Sequence, residues 1–178
     1  MILSNYWRAM RVLENVAGSG MTSADLGIKD ITGAALGNID MADDGMNGSF
    51  REGAIANARL RTANITIRLG KGTGDITAAD YALADDCTAN ISNLLFSSSF
   101  NAGDDGYSQV IIITGTNNTA NDITLTEVGV CKKFQRFIDS NSNRPQSNEV
   151  MLAKLHLDKP IKVLANGSFR IIVEWVEQ

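Results

Sequence analysis

The side chains that could do chemistry in this chain are few, and their spacing narrows them further. His156 is the single histidine, so any Ser/His/Asp or Cys/His relay would have to run through it, and no serine or cysteine stands near it in a nucleophile motif. On a strand it shares a polar face with Lys154 and Asp158, which places it at the surface or at an interface. The loop Gly70-Lys-Gly-Thr-Gly74 follows a strand-like run, as phosphate-binding loops do. A dinucleotide fingerprint would need glycine where Asp75 stands, and a P-loop would need Gly-Lys-Ser/Thr, whereas Lys71 precedes Gly72. A plain turn accounts for the spacing.

Acidic clusters at Asp40, Asp43, Asp44 and at Asp104, Asp105 suggest calcium, the first loosely resembling an EF-hand loop. Its third position is Ala42, however, and the place of the bidentate glutamate is taken by Arg51, so solvated turns fit better. Cys87 and Cys131 lie far apart in no CxxC or Cys/His metal spacing, and are expected as reduced, partly buried thiols. Carboxylate pairs of the glycosidase kind would have little aromatic platform to work with, since aromatic residues make up 6% of the chain. The residues point to no cofactor, no metal and no enzymatic activity.

Charge sets the next bound. A formal net charge of −4, from 16 basic and 20 acidic side chains, offers no broad cationic surface to a phosphate backbone, so nucleic acid is not the expected partner. Lys132, Lys133 and Arg136 read as the solvated edge of a strand. Arg8, Arg11 and Glu14 break any apolar run near the start, which excludes a signal peptide or membrane span there and points to a chain made in the cytoplasm.

The elements that must position these residues are mostly strands. Ser4 to Val16 has apolar residues at spacings of three and four, which predicts a short amphipathic helix ending at Gly18-Ser-Gly20. Its face, Tyr6, Trp7, Met10 and Leu13, must dock on something, because a helix this short is marginal alone. Met21 to Asn57 lacks a sustained period and reads as an irregular arm. Ile65, Ile67 and Leu69 alternate with Thr66 and Arg68 as a half-buried strand does. Thr77 to Ala84 predicts a helical turn or two with Thr77 as N-cap. Ile91 to Phe100 and Gln109 to Gly115 predict two strands around a hairpin loop at 101–106, the second strand central because it is β-branched on both faces.

In Ile123 to Val130 the polarity changes sides at Glu127-Val128, so either a bulge resets the register or Glu127 points inward and needs partners. Asp139 to Asn148 is polar with nothing to bury, and is expected as a mobile loop tip. Met151, Ala153, Leu155 and Leu157 are expected to share one face, with Lys154, His156 and Asp158 on the other and Pro160 closing the strand at an edge or end. Ala165-Asn-Gly-Ser168 is a two-residue hairpin signal, and Phe169, Ile171, Val173 and Trp175 then form the expected heart of the core.

Five of these segments, Leu69-Gly-Lys-Gly-Thr-Gly74, Asp80-Tyr-Ala-Leu83, Leu125-Thr-Glu-Val-Gly-Val130, Leu152-Ala-Lys-Leu-His-Leu-Asp-Lys-Pro160 and Asn166-Gly-Ser-Phe169 to Trp175, resemble in order and spacing a pattern of small tailed-bacteriophage virion proteins. The likeness runs from about Asn64 to Trp175, leaving out the arm before it, and the stretch Phe134 to Val150 is longer than the pattern. It implies a non-enzymatic β-sandwich module of tails, fibres or capsids.

The resulting expectation is a mainly β protein: an antiparallel, jelly-roll-like β-sandwich over residues 58–178, preceded over residues 1–57 by the helix and irregular arm. Its expected role is a virion structural part that binds its own copies, as a trimer or ring, and other virion proteins. The alternatives are a capsid decoration or head-fibre protein and, from another class, a receptor- or glycan-binding module. Tyr6, Trp7, Met10, Leu13, Lys154 and His156 are the candidate interface residues.

Overall fold

A computed structural model describes residues 1–6, 27–35, 65–103, 106–136 and 146–177. The protein is mainly β, with strands β1 (Ile65–Gly70), β2 (Ile91–Gly103), β3 (Gly106–Asn117), β4 (Ile123–Arg136), β5 (Gln146–Val163) and β6 (Ser168–Glu177). Among the described residues they form two antiparallel three-stranded sheets, in the orders β1-β4-β5 and β2-β3-β6. β3, apolar on both faces, is the centre of its sheet, as its composition requires. Alternation does the rest: Ile67 and Leu69 from β1, Ile111 and Ile113 from β3, Val128 and Val130 from β4, and Phe169 and Ile171 from β6 all enter one apolar cluster shared by the two sheets. Val173 packs against that cluster, while the side chain of Trp175 lies outside what is described.

Register slips in β4–β5 decide which side chains reach the second face of the β1-β4-β5 sheet. Between the pairs Leu125↔Ile161 and Glu127↔His156, β5 carries three more residues than β4, and Pro160 sits in that surplus. The strand therefore runs on past Pro160, which takes up the bulge on an edge strand instead of closing it. A second slip sets Val130 against Ala153 but Cys131 against Met151. That extra residue turns Met151 away from Ala153: Ala153 joins the shared cluster, and Met151 packs with Leu3, Leu83 and Cys131 on the far side. The expected single row of Met151, Ala153, Leu155 and Leu157 is broken there.

Other expectations are corrected by the same geometry. The stretch at Asn166-Gly167 is not a hairpin, because β5 and β6 belong to different sheets and the turn carries the chain between them. Gly167 N–H bonds to Leu164 O (2.8 Å) around Ala165 and Asn166, and Asn166 takes the left-handed backbone (φ 57°). Buried Asn117 ties this arch down, its Nδ2 donating to Leu164 O (3.0 Å) and Asn121 O (2.8 Å). Strand β4 runs to Arg136 and β5 starts at Gln146, so Gln146–Asn148 is ladder, paired with 134–136, and not loop tip. Thr77 to Ala84 forms one turn and no helix: Asp80 N–H bonds to Thr77 O (3.1 Å), and the Thr77 hydroxyl meets the Asp80 carboxylate (2.6 Å).

At the start of the chain, Ile2 bridges to Ala153 on the free edge of β5, and Leu3 N–H bonds to Leu152 O (2.9 Å). Residues 4–6 turn helical; Trp7, Met10, Leu13 and the remainder of the expected helix lie outside the described residues.

Candidate functional site

The second face of the β1-β4-β5 sheet is covered by the segment between Gly70 and Asp86 and by residues 1–5 and 27–34. Among the described residues, the buried polar side chains Asn5, Asp30, Glu127 and Lys154 lie under that cover. Glu127, on β4, is 0% exposed. Its Oε1 accepts from the backbone N–H of Gly72 (3.1 Å) and Asp85 (3.3 Å), and its Oε2 lies 3.2 Å from Lys154 Nζ. Both readings of the polarity switch at this position hold: the register slips and the carboxylate points inward. Gly70 and Gly72 are required by it, since a Cβ on either would stand 2.4 or 2.5 Å from Glu127 Oε1. The glycine loop is thus more than a turn; it is the lid that seats this carboxylate.

Lys154, assigned by alternation to an outward polar face with His156, is enclosed at 3% exposure. Its Nζ bridges Glu127 Oε2 and Asp80 Oδ2 (3.1 Å). Partial burial alone would raise the Asp80 carboxyl, but hydrogen bonds from Thr77 and Lys154 outweigh it and hold it below the ordinary carboxylate range. His156 is half-buried, with Nε2 2.8 Å from Gly74 O at the end of the same loop. Tyr6 is half-buried as well. Of the six candidate interface residues, the described ones are Tyr6, Lys154 and His156; Lys154 is enclosed with Glu127 and Asp80, while His156 reaches the end of the glycine loop.

A second polar group lies farther along the face. Arg68 binds Asp86 (2.6 Å) and Glu149 (2.7 Å), and Thr66 donates to the other oxygen of Glu149. Burial raises the carboxyls of Asp86 and Glu149, yet the bonds from Thr88, Thr66 and Arg68 prevail and depress both. Asp30 similarly caps the turn at 30–34 through Thr32 and Ala34 and receives Asn148 Nδ2 (3.0 Å). A cavity of about 300 Å³ opens between Asn5, Lys29, Asp80 and Tyr81, with Lys29 Nζ 5.4 Å from the centre of the Tyr81 ring.

Cys87 and Cys131 are free and buried. Burial pushes the Cys87 thiol up to about 11 and Cys131 higher still, so both are poor nucleophiles. The acidic clusters at 40–44 and 104–105 fall outside the described residues. Among the described residues, no group of three or more His, Cys, Asp or Glu is placed to hold a metal, and no helix is long and apolar enough to cross a membrane.

Arg68 enters the sequence reading only as a strand residue and Asp80 only within a short turn and a resembling segment, and Asp86 and Glu149 do not enter it at all. Each sits in a segment whose partner is distant in the chain, and the one available signal was the inverted polarity at Glu127. No protein-family model, curated protein or solved structure matches the chain.

Proposed function

We propose that this chain is a bacteriophage virion structural protein, built as a jelly-roll-like β-sandwich, that associates with its own copies and with other tail, collar, fibre or capsid proteins. The observation that carries the reading is convergence. Four of the five segments behind the resemblance contribute to one buried cluster: Gly70 and Gly72, Asp80, Glu127 and Lys154. Segments spread over more than eighty residues of chain meet at a fastening, which is what a pattern kept for mechanical integrity would specify.

Self-association has support of its own. Among the described residues β2 is an edge strand paired on one side only, and its residues Ile91–Gly103 include no charged side chain to keep another strand from adding there. Its sheet also exposes Leu95 (67%) and Ile172 (59%), with Ile112 paired to Ile172 between them. The test is a mass-spectrometric inventory of purified particles with stoichiometry, alongside sedimentation of the isolated protein. A fixed copy number per particle and a defined oligomer support the reading; absence from every particle fraction refutes it.

A further inference from the structure

We propose that Lys154 and Asp80 are the two halves of an intramolecular isopeptide bond, formed by the folded chain with Glu127 as acid–base catalyst. A lysine enclosed between two carboxylates is a weak choice for stability alone, since well-packed apolar residues commonly do as well. The arrangement has the parts of an amide-forming site. Lys154 Nζ, on a side chain 4% exposed, lies 3.1 Å from the Asp80 carboxylate and 3.2 Å from Glu127. Glu127 is anchored through Oε1 by two backbone N–H groups, while its buried Oε2 has no hydrogen-bond partner among the described residues despite lying beside Nζ. A fixed acceptor next to the amine and otherwise unused is what a general base requires. The Thr77 hydroxyl donates to Asp80 Oδ1 (2.6 Å), the oxygen on which charge would collect as the carboxyl carbon becomes tetrahedral.

The step balances without any co-reactant. One proton of the Lys154 ammonium moves to Glu127 Oε2 and on to Asp80 Oδ2, and the Nζ lone pair then attacks Asp80 Cγ. Nζ gives a second proton to Glu127, which delivers it to the same Oδ2; the C–O bond breaks and water leaves. Ammonium and carboxylate become one amide and one water, and Glu127 ends as it began, accepting from the new amide N–H. Asp80 is the open side of the trio, its side chain 21% exposed and lining the cavity, so the water has an exit.

This inference goes beyond the virion reading and stands or falls apart from it. Intact-mass measurement of the purified full-length chain is expected to give one water less than the sequence mass. Digestion is expected to release a branched peptide joining the Asp80 and Lys154 segments. Lys154→Arg and Asp80→Ala are expected at full mass, and Glu127→Gln at full mass or converting slowly. A wild-type chain at full sequence mass with no branched peptide overturns the proposal, as does the same loss of water in Lys154→Arg; the wild-type result decides even where a variant does not fold.

Discussion

At Gly72 a single added methyl group would stand 2.5 Å from Glu127 Oε1 and 2.8 Å from the Ala84 Cβ, so the loop has no room for it. Gly72→Ala is expected to destabilise by about 1 to 3 kcal/mol, the range for overfilling a packed site. Gly74→Ala, with nothing within 4 Å, is expected within about 0.5 kcal/mol of wild type. Urea unfolding of the two variants side by side checks the contrast. Glu127→Ala removes one partner of a buried charge and is expected to cost about 3 to 5 kcal/mol, because Lys154 stays behind in the interior.

The carboxylates of the same face fix the acid limit. Asp86, Glu149 and Asp30 all have folded-state values depressed below the ordinary 3.8 (aspartate) and 4.5 (glutamate). Between the depressed and ordinary values the unfolded chain binds more protons, so stability rises with pH there. Their contribution is full above the ordinary values and is lost as pH falls through the folded ones. Thermal unfolding from pH 7 down to pH 2 is expected to show a flat region followed by a fall beginning near the ordinary values; a transition temperature that rises on acidification would contradict it.

Among the elements, the strands were legible where one face alone is wetted. The alternation in Ile65–Leu69 and in Phe169–Val173 maps directly onto the shared apolar cluster. Lys154 was misplaced for a physical reason: alternation tells which residues share a face, but not whether a distant segment will cover that face. Met151 was misassigned because one extra residue in β5 flips everything beyond it, and nothing in an apolar run such as Val150–Ala153 marks where the flip falls. The Asn-Gly signal locates the turn at 165–166, but the hairpin it implies does not form, because local turn chemistry does not decide whether the strands on either side share a sheet.

Two predictions belong to this scale. Leu3, fully buried against Leu83, Cys131 and Met151, fastens the first residues to the body, and Leu3→Ala is expected to cost about 2 to 5 kcal/mol in chemical unfolding. Asn166→Ala forces a side chain with a Cβ and no compensating polar group into the left-handed backbone and is expected to cost about 1 kcal/mol, whereas Asn166→Gly is tolerated.

For the whole molecule, the arrangement is asymmetric. One sheet has its second face covered by loops and the opening residues, and the other exposes Leu95 and Ile172 beside an uncharged edge. On the proposed self-association, the contact is expected through the β2-β3-β6 sheet. Ser97→Lys, on the exposed face of β2, is expected to shift sedimentation toward monomer while leaving the unfolding midpoint nearly unchanged; an unaltered oligomer would place the contact elsewhere.

The two thiols sit on opposite sides of the same sheet, Cys87 within the cluster shared by both sheets and Cys131 under the loop cover. Each is buried and expected to react with an alkylating reagent only when its own side opens, which would make the pair built-in reporters of the wild-type chain. Timed alkylation followed by peptide mapping would separate lifting of the cover from parting of the sheets, and would show which of the two yields first under heat, denaturant or load.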